Sequence, residues 1–224
     1  MSMVDIFDIL GPVMVGPSSS HTAGAVRIGR MARTLLDGRP VRAEIGLYGS
    51  FAETGRGHGT DRALVAGLLG MAPDNLDVPN SFAIAAEQGL EFHFRTIQLR
   101  DAHPNTAVLD VAAEDGRRLV LRAVSTGGGR IRVEQVNGVN VNFTGDFNTL
   151  IVRHHDIPGT LAAIARELSK FRVNVANMSL CRDRRGGDAL MVLETDQRIT
   201  PVARDMVAEV SGVERVTYYE KEAD

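Results

Sequence analysis

Asp156-Ile157-Pro158-Gly159-Thr160-Leu161 is the stretch on which the reading of the fold turns. Proline closes an extended segment, and the glycine after it opens a run of apolar residues at helical spacing. The preceding Asn148–His154 reads as a strand, and Gly159–Phe171 as an amphipathic helix. The pattern then continues as strand Asn174–Cys181, a turn at Arg185-Gly186-Gly187, strand Ala189–Glu194, helix Pro201–Val210 and strand Val213–Tyr219. This is a βαββαβ unit of ferredoxin-like type. Gly159 permits close backbone approach, and the helix start after it offers unpaired N–H groups to a carboxylate, so the loop is a candidate amino-acid site.

Upstream of this unit, Asn137–Asp146 is rich in small, turn-prone residues, as expected where few contacts cross between domains. The boundary is placed near Thr144, giving domains 1–143 and 144–224. The first domain opens with the apolar segment Val4–Leu10, which stops at Gly11-Pro12. Ala25, Ile28, Ala32, Leu35 and Leu36 then recur at helical spacing, with Arg27, Arg30 and Arg33 on the other side, read as a solvated face. A strand is expected over Val41–Tyr48, a polar connection over Asp74–Pro79 and a helix over Asn80–Gln88. Alternation around Phe92/Phe94, Ala107/Leu109/Val111, Leu119/Leu121 and Ile131/Val133 gives strands, and the turns between them suggest antiparallel hairpins. The fold class is α+β: a helix-plus-antiparallel-sheet domain, then the ferredoxin-like one. His103 reads as an ordinary loop residue and Cys181 as a small buried hydrophobe.

Two dense patches carry the chemistry. Gly16-Pro17-Ser18-Ser19-Ser20-His21-Thr22 places three hydroxyls and an imidazole just ahead of a helix. Capping needs one hydroxyl, so the surplus points to an anion or substrate cradle at a helix start. Glu53–Arg62 alternates glycines with Arg56 and His58, presenting His58 from a loop, with Thr60 or Asp61 expected to cap the next helix. Histidine moves its proton near neutral pH, so His58 and His21 are the candidate acid or base groups.

The chain has 224 residues, 44% of them hydrophobic, and a formal charge of -3 from 25 basic and 28 acidic residues. That balance gives no pull toward nucleic acid or a membrane. No apolar run is long enough to span a bilayer, and Met1–Asp5 lacks signal-peptide character, so a cytoplasmic location is expected. One cysteine rules out an internal disulfide and a self-contained multi-thiolate metal site.

The motif Asp-Ile-Pro-Gly-Thr-Leu, with Arg172-Val173-Asn174-Val175-Ala176-Asn177 further on, resembles the ACT domain, an amino-acid-sensing module. That resemblance implies an effector site at His154, Asp156, Gly159 and Asn174 and side-by-side pairing of two ACT domains, hence a homodimer. Asp156 stands where serine-binding relatives carry Asn. The first two-thirds, through Gly-Pro-Ser-Ser-Ser-His-Thr and Gly-Arg-Gly-His-Gly-Thr-Asp-Arg, resembles the β chain of iron–sulfur L-serine dehydratases, and its fold resembles the allosteric substrate-binding domain of some phosphoglycerate dehydrogenases. What this implies is conversion of L-serine to pyruvate and ammonia with a [4Fe–4S] cluster. A lone cysteine cannot hold such a cluster, so a cysteine-bearing α chain is the expected partner, and this chain is expected to be inactive without it. Ser18, Ser19, Ser20, Thr22, Gly57 and Gly59 would then bind substrate, with His58 nearest the chemistry and His21 beside it, as base, acid or orienting group. Two other readings stay open: a non-catalytic amino-acid-sensing subunit, and a hydrolase using Ser19 or Ser20 with His21. Against the latter, adjacent residues at a helix start are not expected to point at each other.

Overall fold

The computed structural model describes residues 14–55 and 57–221. The segment Val4–Leu10, its Gly11-Pro12 stop and Arg56 therefore lie outside the described residues. Contacts divide the chain between Asn137 and Gly138.

In the first unit a turn of π-helix, Ser19–Ala23, runs directly into α1 (Gly24–Leu36). Strand β1 (Pro40–Tyr48) follows, then α2 (Ser50–Thr54), α3 (Thr60–Leu68), a 3-10 turn at Val78–Asn80 and α4 (Ser81–Glu87). Strands β2 (Glu91–Thr96), β3 (Thr106–Ala113), β4 (Arg118–Gly127) and β5 (Arg130–Val136) complete it. They lie in the order β2-β1-β3-β4-β5. Neighbours from β1 through β5 are antiparallel, whereas β2 runs parallel to β1 because three helices carry the chain back across the sheet between them.

Alternation gives the sheet its two faces. Ile45, Leu109, Leu121 and Val133 are fully buried. The intervening residues form ion pairs on the other face: Arg118 Nε with Asp110 at 2.7 Å, and Arg122 and Arg132 with Glu134 at 3.0 and 2.9 Å. Helix α1 packs on β3, β4 and β5, and α3 packs on α1. The two helices cross at glycines. A Cβ on Gly29 would overlap the Leu64 carbonyl oxygen, and one on Gly67 would overlap that of Val26.

The arginine stripe of α1 is not a free solvated face. Arg27 donates to the Gly129 carbonyl and Arg33 to that of Leu68, both at 2.9 Å, so the stripe secures the carbonyl ends of neighbouring elements. The expected cap of α3 also differs. Gly59, at φ +70°, is the N-cap without any side-chain capping bond, Asp61 accepts from the Arg62 N–H, and the buried Thr60 hydroxyl has no partner among the described residues. His103 is a turn-former, accepting the Asn105 N–H at 3.1 Å.

The second unit contains β6 (Val139–Phe143), β7 (Asn148–His155), α5 (Thr160–Lys170), β8 (Val175–Arg182), β9 (Asp188–Thr195), α6 (Pro201–Ala208) and β10 (Val213–Tyr219). The division falls six residues before the expected one because part of the turn-rich stretch forms β6, which packs against β8 and β9. After it, the buried Glu194 carboxylate accepts the Thr144 N–H at 3.0 Å and Asn177 at 2.8 Å. Strands β10-β7-β9-β8 are all antiparallel neighbours, the order of a ferredoxin-like sheet. Its core is Leu150, Val152, Ile164, Leu168, Met191 and Leu193, with Ala203 and Val207 of α6. Strand β8 is an open edge, exposing Val175, Met178 and Leu180. Cys181 lies on that edge and is only half-buried, which corrects its assignment to the core.

Candidate functional site

The densest cluster of hydroxyl and imidazole groups in the first unit lies where the π-helical turn meets α2. Gly16 is in the left-handed region at φ +146°, and a Cβ there would collide with the Thr22 side chain, so the entry requires glycine. Ser18 caps the turn, its Oγ accepting the His21 N–H at 3.2 Å. The Gly24 N–H reaches back to the Ser19 carbonyl, the wide turn of a π-helix, a device frequent at functional sites. This winding turns His21 inward, leaving the residue only 8% exposed.

Inside, the imidazole is held at both nitrogens. Nδ1 lies 3.1 Å from Ser20 Oγ and 3.4 Å from Ser18 Oγ. Nε2 lies 3.0 Å from Ser50 Oγ and 3.1 Å from Thr54 Oγ1. Ser50 and Thr54 are four apart on α2, so both face one way. The His21 ring meets Phe51 and His58 edge-on, with centroids 5.3 and 5.0 Å away. Burial holds its pKa below the usual histidine value, the His58 charge lowers it further, and a hydrogen bond to the Ser50 backbone pulls it upward. A neutral ring at neutral pH follows.

His58 is exposed on the loop after α2. That loop is fastened through its backbone: Thr22 Oγ1 donates to the His58 carbonyl at 3.2 Å, and the His58 N–H donates to the Thr54 carbonyl at 3.1 Å. The structure thus brings Ser18, Ser20, His21, Thr22 and His58 together, with Gly57 and Gly59 in the same loop, while Ser19 contributes a carbonyl to the π-turn. The Ser20–His21 contact overturns the expectation that adjacent residues at this helix start do not meet, because the π-turn bends one over the other. Four hydroxyls, those of Ser18, Ser20, Ser50 and Thr54, lie within hydrogen-bond distance of the His21 ring nitrogens. Sequence reasoning missed Ser50, Phe51 and Thr54. The signal was the Ser-x-x-x-Thr spacing directly after Gly49, whose φ of +55° ends β1.

In the second unit, His154 is 3% exposed, with Nδ1 donating to the His155 carbonyl at 2.7 Å and Nε2 without a hydrogen-bond partner among the described residues. Asp156 is held by the Gly186 N–H at 3.0 Å and Arg182 at 2.6 Å, and these two bonds, in that order, keep its carboxyl below the usual range. Gly159, at φ +95°, opens α5 beside them. Asn174 does not join this group. It precedes Val175, which is opposite Thr195 and thus level with Asn148, whereas His154 is level with Ala189 and Arg182 at the other end of the sheet. Its side chain donates to Asp196 at 2.6 Å.

Residues 2–89 match the family model of the serine dehydratase beta chain, and residues 148–207 match the ACT domain. The chain is 42% identical over 217 residues to the "Probable L-serine dehydratase, beta chain" of Bacillus subtilis, covering 97% of this chain and 98% of that protein. It belongs to the L-serine dehydratase beta-chain family. A second member, the "L-serine dehydratase, beta chain" of Peptoniphilus asaccharolyticus, is 33% identical over 218 residues, 97% of each chain. A "D-3-phosphoglycerate dehydrogenase" of Archaeoglobus fulgidus is 25% identical over 199 residues, 88% of this chain but 37% of the other. The serine dehydratase beta-chain segment contains the π-turn, α2 and the His58 loop entire, so every residue around His21 falls within it. The second unit is an ACT domain in both sequence and strand order. No helix among the described residues is long and apolar enough to cross a membrane.

Proposed function

We propose that this chain is the beta subunit of an iron–sulfur L-serine dehydratase, acting with a cluster-bearing alpha chain to convert L-serine to pyruvate and ammonia. The observation that carries the reading is the buried His21, enclosed by hydroxyls inside the beta-chain segment. A [4Fe–4S] cluster needs several thiolates, and the chain offers only Cys181, on the β8 edge of the other unit, so its residues do not fit the cluster and the thiolates belong to the partner. Held there, the cluster would supply Lewis acidity toward the substrate hydroxyl.

This chain's own contribution is a shaped, proton-handling wall. The substrate binds at the start of the π-turn, beside Ser18 and Ser20. His21 and His58 take and return protons as serine loses its α-hydrogen and hydroxyl. The open β8 edge, with Met178 and Leu180 exposed, suits pairing with a second copy. Anaerobic co-production with a cysteine-bearing partner, followed by pyruvate measurement on L-serine, tests the reading. Pyruvate formation that requires both chains is the expected result; full activity of the partner alone would overturn it. That second outcome would favour a sensing subunit, a reading supported by the similarity to a segment of a much longer phosphoglycerate dehydrogenase.

A further inference from the structure

We propose that Thr54 is a positioning residue that fixes His21 as its Nε2–H tautomer, leaving Nδ1, beneath the Ser20 hydroxyl, as the atom that takes and returns the proton. The inference deepens the dehydratase reading and rests on it only for the consequence in turnover.

Thr54 closes α2 and donates its hydroxyl hydrogen to the carbonyl four residues back, that of Ser50, at 2.8 Å. A hydroxyl has one hydrogen, so toward Nε2, 3.1 Å away, Thr54 can only accept. Nε2 must therefore carry a hydrogen. Ser50, at 3.0 Å, is compatible with either tautomer because its hydroxyl rotates to suit, so it does not choose. In the opposite tautomer two lone pairs, on Nε2 and Thr54 Oγ1, would face each other at 3.1 Å. With one ring hydrogen placed on Nε2, a neutral ring has a bare Nδ1. The Ser20 hydroxyl, 3.1 Å away, then donates to it, and Ser18, 3.3 Å from Ser20 Oγ, continues the chain of hydroxyls outward. A proton leaving a substrate held at the two serines thus has a short route to Nδ1 and none to Nε2.

Nitrogen-15 spectra of the histidine-labelled full chain at pH 8 read the tautomer directly. The expected result is a protonated Nε2 and unprotonated Nδ1 for His21 in the parent chain. Thr54→Val should shift population toward Nδ1–H, and Thr54→Ser should restore the parent pattern. Assembled with its partner, Thr54→Val should lose about ten- to a hundredfold in kcat with little change in KM, while Thr54→Ser stays within about threefold. A parent His21 found as Nδ1–H, or a Thr54→Val spectrum identical to the parent's, overturns the inference, and the parent measurement stands even if the variant fails to fold. A tautomer that shifts as described while pyruvate formation is untouched keeps the assignment of Nε2–H and removes His21 from the reaction.

Discussion

Each unit of the chain buries one histidine almost completely, and the two are treated in opposite ways. His21 has hydroxyls on both ring nitrogens; His154 has a backbone carbonyl on Nδ1 and no hydrogen-bond partner on Nε2 among the described residues. Burial alone therefore does not mark a working histidine. Under the proposed function the hydroxyl shell is what sets His21 apart, because hydroxyls can pass a proton on, whereas a carbonyl only parks one.

The sharpest way to break this contrast is through activity. His21→Asn keeps a polar side chain of modest size but removes the titrating ring, and is expected to cost about a hundred- to ten-thousandfold in turnover of the assembled enzyme, measured as pyruvate. Retained turnover would make the shell merely structural. Stability comes next: His21→Leu strands Ser20, Ser50 and Thr54 without their ring partner and should destabilise the first unit by about 2–4 kcal/mol in urea unfolding.

A smaller effect concerns pH. The His21 pKa is lower in the folded chain than in the unfolded one, so between the two values the unfolded chain binds more protons. Stability is full above the unfolded value of about 6.5 and falls as pH drops through the window beneath it. Urea midpoints measured across that window should decline in the parent and flatten in His21→Asn; equal slopes would mean that the ring is not buried as a neutral group. The smallest change is expected for His154→Leu. It removes a buried acceptor that lacks a partner and also loses one hydrogen bond to a carbonyl, and these oppose each other, leaving a net change of about 1 kcal/mol or less. A loss equal to that of His21→Leu would erase the distinction between the two residues.

Much of this was legible from residue order, and the failures have physical causes. Strict alternation located β1, β3 and β4 of the first sheet, and Pro158-Gly159 located the start of α5. Alternation is blind to strand direction, however, and β2 lies parallel to β1 because three helices intervene. The turn-rich run around Asn140 hid β6, because Asn and Gly residues mask a short strand whose buried positions are only Val141 and Phe143. Ser18, Ser20, His21 and His58 were singled out by density, and they do meet. Ser50 and Thr54 escaped because a five-residue helix carries too few turns for its periodicity to register, and the π-turn escaped because its one-residue offset leaves no compositional trace.

The glycine crossing of α1 and α3 has a consequence for how defects in this chain will look. One helix carries the π-turn at its head and the other carries the His58 loop, so the crossing works as the pivot of a pair of scissors whose tips hold the two imidazoles. A single methyl added at Gly67 would wedge the blades apart. Damage at the crossing, away from both rings in sequence, would then register as lost alignment at the tips while much of the hydrophobic interior stayed intact.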